Sequence, residues 1–114
     1  MTHKDLELWK LSIDLVIKIY DLAKHLPDDE KYGITAQIKR CAISIPSNIA
    51  EGAGRNSSKE FIRFLDIANG SLSELETQLI IIQRLGFYQS MHIIDNDLTI
   101  IRKMIYKLKK SLSR

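Results

Sequence analysis

The densest run of chemistry-bearing side chains lies near the end of the chain. After Asp97 the sequence carries no acidic residue, while Arg102, Lys103, Lys107, Lys109, Lys110 and Arg114 supply six cations. Basic residues in a last helical turn complement the helix dipole. Six unmatched cations exceed that need, and such a surface binds phosphate backbones by counterion release, with little sequence preference. Arg55, Lys59 and Arg63, with Lys39 and Arg40, extend the basic set around the turn Gly52–Lys59. That turn leads glycines, hydroxyls and cations into a helix start, an arrangement that can hold an anion. It lacks the Gly-x4-Gly-Lys-Ser/Thr spacing of a phosphate loop and follows no strand, so it reads as a tight, capped helix–helix turn.

Catalytic patterns are thin. Asn48 and Glu51 lie one helical turn apart, and Glu74 and Glu76 sit beside an apolar seam. A carboxylate flanking that seam is expected to be partly buried and to need a partner such as Arg40 or Arg55. These four residues read as structural or interface polar groups. A di-iron bundle needs Glu-x-x-His on two helices, and the sequence has none. His3, His25 and His92 are scattered, and the single Cys41 excludes an internal disulfide and a cysteine-based zinc site within a monomer. Some small helical ribonucleases use an arginine closely followed by a histidine as general acid or base. Arg84 and His92 are the nearest match, too far apart and separated by Gly86. The expectation is a chain without catalytic residues, metal or cofactor.

The elements that must position these groups are helices. Leu6, Trp9, Ile13, Val16, Tyr20 and Ala23 recur at helical spacing, as do Leu8, Leu11, Leu15, Ile19, Leu22 and Leu26. Together they predict a first helix from Thr2 or His3 to His25, stopped by Pro27. A second helix is predicted from Thr35, its hydroxyl a candidate cap. Its face is Ile34, Ile38, Cys41, Ala42, Ile45, Ile49 and Ala53. Pro46 within it predicts a kink, or a break into two helices, and Gly52 and Gly54 end it. Ser57 and Glu60 have capping-box spacing and open a third helix. Its seam is Phe61, Leu65, Ala68, Leu72, Leu75, Leu79 and Ile82, spaced in sustained heptads. Gly70 interrupts that helix at a cost of roughly 1 kcal/mol against alanine, which a close helix approach would explain. Gly86 suits the left-handed position after the helix, with Phe87 placed to touch Ile82. Ile94, Leu98, Ile101, Ile105, Leu108 and Leu112, widened by Ile93, Ile100 and Met104, predict a fourth helix from Ser90 to Leu112. The fold class is all-α: one antiparallel up-down-up-down four-helix bundle spanning residues 1–114.

Composition agrees. The length fits one domain with a real core, and 45% hydrophobic residues with a net charge of +3 are ordinary for a globular chain. The charged N-terminus has no apolar signal core and no apolar run is long enough for a membrane span, so a cytoplasmic protein is expected. Helix one carries two apolar stripes, and Ile62, Ile67, Ile80 and Ile81 lie off the seam of helix three. Surplus apolar surface of this kind predicts a subunit interface.

The segments SIPSNIAEGAGR (Ser44 to Arg55), EFIRFLDIANGSLSELETQL (Glu60 to Leu79), RLGF (Arg84 to Phe87) and DLELWKLSIDL (Asp5 to Leu15) carry a family resemblance. The chain resembles the four-helix-bundle proteins encoded in intervening sequences of bacterial large-subunit ribosomal RNA genes. That family is similar to the accessory variability proteins of diversity-generating retroelements. The resemblance implies a ring-shaped homopentamer with a central pore. It also implies a basic barrel surface that engages RNA or DNA, and a protein partner such as a reverse transcriptase. A protein–protein scaffold that binds no nucleic acid is the alternative, and a small ribonuclease the weaker one.

Overall fold

The computed structural model describes residues 2–114. Four α-helices form a bundle measuring 46 × 24 × 20 Å: α1 (Glu7–Ala23), α2 (Ile34–Ala53), α3 (Ser58–Arg84) and α4 (Thr99–Leu112). Each packs against its neighbour in the chain, and α1 also meets α4, so the four close around one core. The α2–α3 contact is the most extensive.

The seam of α3 is that core's spine. Leu65, Ala68, Leu72, Leu75, Leu79 and Ile82 are fully buried, and Phe61 packs against them partly buried. Of the two stripes on α1, the second faces inward: Leu8, Leu15, Ile19, Leu22 and Leu26 are buried. The first lies along the rim, with Trp9, Ile13 and Val16 half-buried and Tyr20 exposed. The predicted start at Thr2 or His3 is a short 3-10 turn, His3–Asp5; the α-helix begins at Glu7 after an extended Leu6.

α2 runs unbroken through Pro46, which is buried. Proline removes one backbone donor, but buried Ile45 and Ile49 hold the helix on both sides of it, so the break, the alternative to the expected kink, does not occur. The expected Thr35 cap is also absent. The cap position is Gly33, and the Thr35 hydroxyl, inside the first turn, has no hydrogen-bond partner. Glu30 Oε1 instead accepts from the Ile34 amide at 3.5 Å.

At the α2–α3 turn, the Ser57 hydroxyl accepts from the Glu60 amide at 3.1 Å, as expected. The Glu60 carboxylate turns forward to Arg63 at 3.2 Å and so does not complete the reciprocal half of the box. Ser57→Ala is therefore expected to lower stability by about 1 kcal/mol, the usual worth of a single cap, read as a drop in the midpoint of urea unfolding.

The close helix approach expected at Gly70 occurs at Gly52 instead. A Cβ at Gly70 would meet nothing within 4 Å, so no helix approaches it. The close approach is at Gly52, where a Cβ would stand 2.8 Å from Phe64 Cβ and 3.0 Å from Phe61 Cδ1. Gly86 has φ +75°, and the amides of Gly86 and Phe87 donate to Gln83 and Ile82 oxygens at 3.1 Å each, closing α3 as a Schellman motif. The chain then stays tied to α3. The Ser90 hydroxyl donates to the Leu79 oxygen at 2.8 Å, and the Ser90 amide to Gln83 Oε1 at 2.6 Å.

The fourth helical segment is not uniform. Ile93–Leu98 forms a π-helical turn that leads into α4. Ile93, Ile94 and Leu98 of this turn are buried in the core. The turn also presents Asp97, which pairs with Lys18 of α1 at 2.6 Å.

Candidate nucleic-acid interface

α4 divides its side chains into three groups. Ile101 and Ile105 are buried, with Met104 and Leu108 packed beside them. Two cations lean toward α3. Arg102 Nη2 meets Glu76 Oε1 at 3.0 Å, and Lys109 pairs with Asp66. The six cations are therefore not all unmatched: acidic partners come from another helix, which the one-sided charge of the last segment did not reveal. Lys103, Lys107, Lys110 and Arg114 form the third group. They are exposed, and among the described residues none has an ion-pair partner. At about 100° per residue Lys103, Lys107 and Lys110 lie on the side of α4 opposite Ile105, and Arg114 follows the end of the helix. Thr99, Arg102, Lys103, Tyr106, Lys107 and Lys110 line a shallow groove along this face.

The turn cluster approaches the same end of the bundle. The Lys109–Asp66 pair fixes the late part of α4 against the first turns of α3, and Lys110 shares a groove with Ile62. Arg55 and Arg63 both stand over the Phe64 ring, 4.9 and 4.6 Å from its centroid. Each is also ion-paired, Arg55 with Glu51 at 3.5 Å and Arg63 with Glu60 at 3.2 Å. Lys59 is exposed and has no ion-pair partner among the described residues. Lys39 and Arg40 lie apart from this set. Lys39 sits 5.0 Å from the Tyr20 ring centroid on α1, and Arg40 lines a groove between α2 and α3.

The polar residues of the family-like segments also separate. Asn48 Nδ2 donates to the Ser44 oxygen at 2.7 Å, a bond within α2. Glu51 is exposed beside Arg55, and Glu74 is exposed within the α2–α3 groove. Glu76 is the half-buried carboxylate, and its partner is Arg102 rather than the expected Arg40 or Arg55. That pair bridges α3 and α4, and spacing along one helix cannot show it.

Cys41 is buried in the α2–α3 groove, with Sγ donating to the Ser71 oxygen at 3.2 Å. Burial, and then the Glu74 carboxylate, push its thiol up to about 12. The thiolate is therefore scarce at neutral pH. Iodoacetamide is expected to modify the folded protein far more slowly than the urea-unfolded one. A raised folded-state value also means that stability is full below the unfolded thiol range and is lost as pH climbs from about 9 toward 12. Urea midpoints at pH 8 and pH 10 check this.

Arg84 and His92 are both exposed, at the end of α3 and just before the π turn. Among the described residues no group of three or more His, Cys, Asp or Glu side chains is placed to hold a metal ion. None of the described helices is long and apolar enough to cross a membrane. No curated protein matches the chain. A family model does, over residues 4–107, which takes in all of α1, α2 and α3 and more than half of α4. With the four-helix bundle and nearly the whole chain matched, the protein belongs to the 23S rRNA-intervening sequence protein family.

Proposed function

We propose that this chain is a non-catalytic, oligomeric four-helix-bundle protein that binds RNA or DNA through a basic surface. The observation that carries the reading is the free face of α4, where Lys103, Lys107 and Lys110 project without acidic partners, with exposed Arg114 just beyond the helix end. Lys59 and the Phe64-stacked Arg55 and Arg63 add to it at the same end of the bundle. Such a surface gains affinity from counterion release and discriminates little among sequences.

In this reading residues 1–114 are one domain with its helices antiparallel, up-down-up-down, in keeping with consecutive helices that pack on each other. Copies assemble into a ring, a pentamer by family resemblance. Ile17, Ile67, Ile81 and Ile100 support assembly, since each exposes 41% or more of its surface in the single chain. The compartment is the cytoplasm, and a reverse transcriptase is the kind of protein partner that the resemblance suggests. The exposed isoleucines equally favour a second reading, a protein scaffold that leaves the lysines solvated.

Competitive acylation separates the two. RNA added before a lysine-acylating reagent should protect Lys103, Lys107 and Lys110, measured by mass spectrometry. Lys10 and Lys24, paired with Glu7 and Asp21 on α1, should stay reactive. Protection that is absent or uniform contradicts the proposal and favours the scaffold.

A further inference from the structure

We infer that Tyr106 is a stacking platform for an unpaired base, so that the ligand of the α4 face is single-stranded nucleic acid rather than duplex. The inference rests on the nucleic-acid reading above and names its substrate class. Tyr106 exposes 65% of its surface. It lies in the groove otherwise lined by Thr99, Arg102, Lys103, Lys107 and Lys110, and the Lys110 ammonium stands 5.9 Å from its ring centroid. The fold does not need the ring there, because Ile101 and Ile105 already fill the inward face of the helix.

The other exposed tyrosines lack this setting. Tyr32 follows Asp28, Asp29 and Glu30, whose charges repel phosphate. Tyr20 exposes only 37% of its surface, against 65% at Tyr106. Among these exposed tyrosines only Tyr106 combines a widely exposed ring with several cations free of acidic partners. Cations that track a backbone, joined by an aromatic face on which a base stacks, are what sequence-tolerant single-strand binding requires. A duplex keeps its base faces inside the stack and offers α4 only phosphates. Lys103 to Lys110 spans about 10 Å of helix, room for about one phosphate on either side of the stacked base.

The test compares a labelled single-stranded oligouridylate with a labelled blunt-ended RNA duplex of equal charge, by anisotropy at several salt concentrations. The proteins are wild type, Tyr106→Leu and Tyr106→Phe. Leucine keeps helix propensity and apolar bulk, and an unchanged melting temperature verifies the fold. Stacking is worth about 1–3 kcal/mol per base, so Tyr106→Leu should weaken single-strand binding by about five- to 150-fold. It should leave the salt dependence and the duplex affinity unchanged, and Tyr106→Phe should bind as wild type. Salt-dependent binding that ignores Tyr106→Leu overturns the stacking role and leaves the basic face standing. Wild-type protein that binds neither probe overturns both readings.

Discussion

Replacing Lys103, Lys107 and Lys110 together with glutamate is expected to weaken RNA binding by roughly a thousand-fold at low salt. The size follows from counting contacts. Each lysine that neutralises a phosphate adds about 0.7–0.9 to the slope of log affinity against log salt. Losing three flattens that slope by roughly 2 to 3, and at about 0.05 M salt this amounts to two and a half to four decades. The loss should be similar for all sequences, because phosphate contacts position a ligand without reading its bases. The fold should survive. All three side chains are exposed and none has an ion-pair partner to lose among the described residues, whereas Arg102 and Lys109 anchor α4 to α3 and are left in place. Lys10→Glu with Lys24→Glu is the matched control, expected to change affinity far less. Anisotropy on both variants checks the prediction.

The second large effect is on stability. Gly52→Val is expected to cost about 3 kcal/mol or more, and Gly52→Ala about 1–3 kcal/mol, despite alanine's better helix propensity. The added Cβ meets Phe64 Cβ, one bond from the backbone, at 2.8 Å, so no flexible side-chain tip can swing aside. α2 and α3 must then separate where they are joined by only four residues, Gly54 to Ser57. Phe64 also carries the stacked Arg55 and Arg63, so the same change should disturb that end of the basic surface. Gly70→Ala is the contrast: open space surrounds the position, and removing a mid-helix glycine should raise stability by up to about 1 kcal/mol. Urea unfolding of the three variants measures the set.

That contrast shows where sequence reading reaches its limit. A mid-helix glycine costs stability wherever it falls, but its reason lies in the neighbouring helix. Here the closely approached glycine is Gly52, whose neighbours Phe61 and Phe64 are nine and twelve residues away in the chain. Features governed by nearby residues were legible: the heptad seam of α3, the Ser57 cap and the Gly86 stop all stand where spacing predicts them. Features set between helices were not. Glu76 and Arg102 are 26 residues apart, so their pairing was hidden and the cations of α4 looked wholly unmatched. The π turn was hidden for another reason. Ile94, Leu98 and Ile101 keep ordinary helical spacing through it, so nothing in the apolar pattern marks the wider turn. The free face of α4 was legible in part. Its lysines were evident from charge alone, but setting Lys103, Lys107 and Lys110 apart from Arg102 and Lys109 required the position of α3.

The central claim, that a basic face of this bundle holds nucleic acid, is tested most directly by wild-type protein of known solution mass titrated into labelled RNA and DNA across a salt series. The account predicts affinity that falls steeply and linearly in log salt, for many sequences alike. No binding at low salt would contradict it, leaving the bundle and its family intact and the lysines of α4 as solvated surface.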